Sequence, residues 1–455
     1  MPISSFYGLQ TSLRGLLAQQ RALDTTGHNI ANANTAGYSR QEAVLQASPA
    51  LHIPAGGTIS GAPAHLGSGV DVAQFRRVRD SFADLQYRAQ NTSLGSANAQ
   101  ADALGRAEAA LNEPGDSGVT AQLAAFWDAW SDVANAPEDP AAKQALVEQG
   151  QALADSLSNV RGQVALVQSQ TLAQYDDLTR PASGTDPGGE IAQTAKELAG
   201  LNDTIRRAVT AGDSPNDLLD RRDQLLDKLS GYGQISVTDN GDGSVQVAFV
   251  DTATASTYGI VDGADVEWNG PPASWSPGGQ LGGLRSVADP ATGSLQGYLT
   301  ALDSVAGTLR DLVNGAYQGT FFESGPGPAA ASLRVTAPLV ADPRSIDPGS
   351  GNSGSNDRAL AVSALRNDPR IDGTYQAFVA RVGAEVKGAT RQQANARALT
   401  DAVDDRRQSV SGVSMDEEMT NLVRFQRGYQ ASARAMSTMD EMLDVLINRT
   451  GKVGL

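Results

Sequence analysis

Thr25–Gln41 reads TTGHNIANANTAGYSRQ, with Asn29, Asn32 and Asn34 inside six residues. The stretch falls where an amphipathic pattern stops. Asparagine side chains compete for nearby backbone groups, so they disfavour helix interiors and favour turns. Asn32, Asn34 and Gly37 tolerate the left-handed backbone that ends a helix. The amides can bond to backbone on both sides, which fixes the angle at which the chain leaves the helix. Tyr38 and Arg40 are then expected to reach a neighbouring chain. The stretch is therefore read as a hinge that is also a contact surface.

The pattern before the hinge is a heptad. Leu9, Leu16, Leu23 and Ile30 are seven apart, and Phe6 and Leu13 lie on the interleaved series. Alternating steps of three and four place them on one helical stripe. Gln20 and Gly27 weaken that series toward its end, and Ser4 or Ser5 is a candidate cap.

The far end of the chain carries the counterpart. Leu422, Tyr429, Met436 and Leu443 form one series of seven; Phe425, Met439 and Leu446 form the other, with Ser432 the exception. Ser414 and Glu417 make a capping box, Asp416 adds charge suited to a helix N-terminus, and Gly451 supplies a stop. From Met415 to Thr450 such a helix is on the order of 50 Å long. Five of the six methionines fall in it: Met415, Met419, Met436, Met439 and Met442. Methionine adapts to irregular partners. Two readings of these heptads stay open. Each helix covers its own domain, or the chain ends pair with each other or with other subunits.

Between the ends lie helical stretches around 76–112, 118–135, 139–180, 190–230, 294–319 and 375–409. Phe126, Trp127 and Trp130 stand close together as a packing anchor. Near Gly231 the character changes: QISVTDNGDGSVQVAFV is two alternating runs around a Gly/Asn/Asp turn, a hairpin signal. Short strands and turns are expected from Ser324 to Asn356. The expected fold is mainly α with a β-rich inserted domain. Paired coiled-coil helices occupy residues 1–35 and 414–455. A helical stalk takes 36–185 and 357–413, and an outer domain takes 186–356, β-rich at about 231–293.

Composition excludes several functions. The net charge of −16, from 35 basic and 51 acidic residues, repels phosphate backbones, so nucleic acid is not an expected partner. No apolar run approaches membrane-spanning length, and the N-terminus lacks the basic leader and apolar region of a cleaved signal. Cysteine is absent, which removes disulfides and thiolate chemistry. His28, His52 and His65 are the only histidines. His28 reads as a ligand, a switch or a partner for a helix dipole. Asp404 and Asp405 suit acid–base chemistry in principle, yet Arg406 and Arg407 beside them favour a salt-bridged face. Thr238–Ser244 lacks a calcium loop's oxygen ligand at the third position and its closing bidentate Glu, and reads as a hairpin turn. No catalytic motif, cofactor or metal is expected.

Gly27–Gln41 resembles the N-terminal signature of bacterial flagellar rod, hook and hook-associated proteins: Asn-Ile-Ala-Asn, two variable residues, Thr, one residue, Gly-Tyr. Asn29, Ile30, Ala31, Asn32, Thr35, Gly37 and Tyr38 meet it, with Asn34 inside it. The following Ser39, Arg40 and Gln41 resemble the branch that joins hook to filament. So do the segment from Asp416 through Ala431, NDLLDRRDQLLDKLS (Asn216–Ser230), and SGNSGSNDRALAVSAL before the last helices. The resemblance implies a structural axial protein without a catalytic site, exported by the flagellum-specific type III system. It implies copies of itself as partners in a tube, hook protein on one side, and a second junction protein and then filament on the other. It also implies an export chaperone on the C-terminal helix. A hook or distal-rod subunit is the nearest alternative, and a scaffold carrying an enzyme or adhesin domain is the distant one.

Overall fold

The computed structural model describes residues 6–53, 64–115, 118–272, 275–351 and 354–449. Ser4, Ser5, Thr450, Gly451 and the side chain of Leu446 lie outside the described residues.

The chain opens with α1 (Tyr7–Ala31), then β1 (Gln41–Ala47), β2 (Leu51–Ile53), β3 (Ala64–Leu66) and β4 (Val70–Arg77). β1 pairs antiparallel with β4, and β2 with β3. These strands fall where the sequence reads as the start of a helical stalk. Ala43, Val44 and Leu45 run together in β1, so no strict apolar/polar alternation advertises it.

Long helices follow: α2 (Ser81–Leu111), α3 (Val119–Asn135), α4 (Pro140–Thr179), α5 (Glu190–Thr210) and α6 (Asn216–Tyr232). Their ends are written locally. The Asp80 carboxylate accepts from the amides of Phe82 and Ala83, and Asn112, left-handed at φ 52°, ends α2. Asp139 caps α4, with Pro140 at its first position.

The expected hairpin forms as β5 (Ile235–Asp239) and β6 (Val245–Val250). It extends through β7 (Thr257–Asp262) and β8 (Asp265–Val266) into a four-stranded antiparallel meander. Along β6, Val245, Val247 and Phe249 point inward, as period two demands. Then come α7 (Gly279–Ala288), α8 (Ser294–Tyr317), β9 (Phe322–Ser324), α9 (Ala329–Ser332), β10 (Leu333–Val335), α10 (Ala337–Ala341), α11 (Asp357–Ser363), α12 (Asp372–Ser411) and α13 (Met415–Asp444).

Two apolar cores organise the body. The first joins the end of α2 with α3, α4, α8, α11 and the first half of α12. The anchor aromatics Phe126, Trp127 and Trp130 sit at its centre, and Phe126 and Trp130 lie ring to ring with Tyr317, Phe321 and Phe322. The second packs α5, α6 and α7 against the meander around Phe249, Trp268 and Trp275. Residues 295–346 thus share a core with 103–167, whereas the sequence reading puts them in the outer domain with the β-rich part. The aromatic cluster decides this: Tyr317, Phe321 and Phe322 find their apolar partners on α3.

Candidate functional site

α1 and α13 form one of the two most extensive helix pairings among the described residues, α2 with α12 being the other. They run antiparallel in one constant register. Gly8 faces Met439, Gly15 faces Ser432, Gln19 faces Gly428, and Asn29 faces Glu418. A Cβ at Gly15 would lie 3.1 Å from the Ser432 hydroxyl, so the backbones approach closely because side chains are missing.

The register changes the reading of α1. Its buried residues are Ala18, Ala22, Thr26 and Asn29, not the heptad leucines. Leu9, Leu16 and Leu23 are half-buried, while Phe6 and Leu13 are exposed, as is Leu17. The leucine stripe flanks the contact because β3, β4 and α13 take the small-residue side: the Tyr7 hydroxyl donates to Leu66 O, and Gly69 abuts Thr11. On α13, Leu422, Phe425, Tyr429, Met436 and Leu443 are half-buried and Met439 is 36% exposed. Its exposed apolar residues are Met415, Met419, Val423, Met439 and Met442, with Val445 and Ile447 beyond its end.

At the base of the pair stands the asparagine-rich turn. Asn29 uses its whole amide. Nδ2 donates to Gln41 O at 2.9 Å and Glu418 Oε2 at 3.1 Å; Oδ1 accepts from the Tyr38 hydroxyl at 2.8 Å and Gln41 N at 3.0 Å. Asn32 closes α1: its Nδ2 donates to His28 O and its Oδ1 accepts from the Thr35 hydroxyl. At φ −102° Asn32 is not left-handed, and neither is Asn34, which is exposed; that conformation falls to Gly37 at φ 76°. Ile30 is half-buried and Ala31 exposed.

Tyr38 and Arg40 do not reach outward as expected. The Tyr38 hydroxyl is held by Asn29. Arg40 Nη1 lies 2.7 Å from Glu417, and its backbone amide donates to Ser411 O. Burial first, then the charges of Asp217, Asp220 and Glu418, push the Tyr38 phenol well above its ordinary pKa, so it stays a donor. The Ser414 hydroxyl caps α13 by accepting from Glu417 N. With the Glu417 carboxylate committed to Arg40, the capping box is half-made. Asp416 joins Glu417 and Glu418 in the first turn.

The residues that sequence reading missed are on α6. Asp217, Asp220, Asp223 and Asp227 recur at steps of three and four, a single helical face. Against them stand Arg77, 2.8 Å from Asp220 and 2.7 Å from Asp223, and Arg79, 2.8 Å from Asp223. Arg88 and Arg407 pair with Asp227 from behind. Burial raises the Asp223 pKa, but Arg79 and Arg77 outweigh it and hold the carboxyl below its usual range. Ser39 is buried and donates its amide to Asp220. His28 Nε2 is 3.3 Å from Asp217, so an acid of α6 is its partner. The sequence signal was the acid spacing in NDLLDRRDQLLDKLS, opposite Arg77 and Arg79 in RRVRD. A groove of about 540 Å³ opens between residues 33–39, α6 and residues 407–414.

Asp404 pairs with Arg407. Among the described residues no three His, Asp or Glu side chains are grouped to hold a metal, and no helix is long and apolar enough to cross a membrane.

Comparison with known proteins agrees with this layout. The family profile "Flagellar hook-associated protein FlgK helical domain" matches residues 104–325. "Flagella basal body rod protein" matches 9–38, and "Flagellar basal body rod FlgEFG protein C-terminal" matches 406–449. Flagellar hook-associated protein 1 of Bacillus subtilis is 31% identical over 99% of both chains. That of Escherichia coli is 25% identical over 97% of this chain and 99% of its own. The solved structure of the flagellar hook junction protein FlgK from Burkholderia pseudomallei superposes with a TM-score of 0.56 at 14% identity, covering 72% of this chain and all of that one. This last likeness speaks for the fold.

Proposed function

We propose a mechanical role for this chain, which belongs to the family of flagellar hook-associated protein 1: it is a structural subunit of the flagellum at the junction of hook and filament. It works by packing and not by catalysis. The supporting observation is the terminal helix pair, where Phe6, Leu13 and Leu17 at and in α1, and Met439, Met442 and Ile447 in and beyond α13, are each exposed. Exposed apolar side chains are a cost for a monomer and an interface for a polymer. Copies stacked around an axis bury them, and head-to-tail contacts whose rotation does not close build a helical tube. Hook protein and a second junction protein then meet the two ends of the zone.

The subunit reaches this place through the flagellum-specific type III export system. The methionine-rich flank of α13, with Met415 and Met419 exposed, is the proposed seat of its export chaperone.

Leu13→Glu and Met442→Glu test the assembly role. Both side chains are exposed, so circular dichroism should be unchanged while incorporation at the hook tip is lost. Normal filament attachment by the double variant overturns the assignment. Deleting residues 416–455 should abolish chaperone co-purification, and retained binding refutes that seat.

A further inference from the structure

The terminal unit, residues 6–77 with 412–449, meets the body in an unusual way. The chain crosses between them twice, at 78–80 and at 411–414. Neither apolar core contains a residue of the terminal unit. Across the joint run hydrogen bonds and ion pairs, and α6 supplies the body's side. Arg77 pairs with Asp220 and Asp223, and Ser39 N donates to Asp220. Gln41 Nε2 donates to Asp217, Asn216 Nδ2 to Phe75 O, and Gln224 Nε2 to Ala36 O.

We propose that this joint is a releasable latch: α6 holds the terminal rod at a fixed angle by charge and hydrogen bonding, and the rod swings about the two crossings when those bonds are exchanged for water. An apolar interface resists opening because its area must be hydrated. A polar one trades each bond for a similar bond to water, so its opening is cheap while its geometry is specific. The groove of about 540 Å³ already brings solvent to the flank of the acid ladder. The backbone bonds Val78 N to Arg40 O and Arg40 N to Ser411 O, both 2.8 Å, tie the two crossings to each other. They make a single pivot of two strands. A subunit so built takes up different tilts without losing either core, and this does not depend on which polymer it enters.

The chain has no cysteine, so spin labels can be placed cleanly on the full-length protein at exposed Gln20→Cys on α1 and Gln170→Cys on α4. Pulsed electron–electron distance measurements should give one narrow peak at low salt. Arg77→Gln should lose that single peak, and Asp223→Asn likewise. Salt of about 1 M, where screening acts within about 3 Å, should broaden the unmutated protein in the same direction. Arg77 lies outside both cores, so its variant keeps a folded body, checked by near-ultraviolet circular dichroism. A peak equally narrow in Arg77→Gln and the unmutated chain overturns the latch.

Discussion

Asn29 Nδ2 lies 3.1 Å from Glu418 Oε2, although 389 positions separate the two residues. Glu418 is the one buried residue of α13 among the described residues, at 2% exposure. A buried carboxylate needs donors. Asn29→Ala removes one and should cost about 3 kcal/mol of the stability of the helix pair. Glu418→Gln leaves a neutral group and should lose less. A double-mutant cycle followed by urea unfolding of the terminal unit should give a coupling of roughly 1–3 kcal/mol; independence of the two sites would rule out a shared bond.

The glycines of α1 should divide by their surroundings. Gly15 faces Ser432 closely, so Gly15→Leu forces the helices apart and should destabilise the pair. At Gly27, inside the same helix, an added Cβ would meet nothing within 4 Å. Gly27→Ala should stabilise the helix by up to about 1 kcal/mol, through helix propensity alone. Amide exchange across residues 7–31 reads both signs.

Protection against hydrogen exchange should be uneven. α3 buries Phe126, Trp127, Trp130 and their neighbours, while α13 buries only Glu418 and α1 only small side chains and Asn29. Helices with so little covered apolar surface open locally. Amides of residues 7–31 and 415–444 should exchange faster than those of 119–135 in the monomer, and slow down on assembly. Equal protection in the monomer would contradict this.

Acid should weaken the joint. Burial opposes ionisation of Asp223, yet Arg79 and Arg77 lower its folded pKa below the unfolded value. Its contribution is therefore present above about pH 4 and is lost as pH falls through the folded value. Urea midpoints measured downward from neutral pH should fall less steeply below about pH 4 in Asp223→Asn than in the unmutated chain.

Much of the architecture is legible in the sequence because it is local. Helix periods, the Asp80, Asp139 and Ser414 caps, and the turn at Asn240–Ser244 depend on neighbours a few residues away. The hairpin strands β5 and β6 announce themselves by alternation for the same reason. β1 does not, since Ala43, Val44 and Leu45 run together, and in β4 the alternation breaks at Ala73 and Gln74, where the pairing shifts register. The site was legible in part. Asn32, Asn34 and Gly37 stood out as a helix end, but nothing near the acids of α6 in the chain announces the arginines that face them.

Residue order alone therefore settled which side chains share a helical face and roughly where the long helices stop. It could not say what would cover each face. Only in the folded chain does α1 meet α13 through glycine, alanine and Asn29 and leave Phe6 and Leu13 outside. Only there do Asp220 and Asp223 meet Arg77 across more than a hundred positions, and does Tyr38 turn inward. The physical reason is that periodicity fixes directions around one axis, whereas the identity of a partner depends on close approach between distant segments. Small side chains and buried charge pairs permit that approach once the segments are brought together.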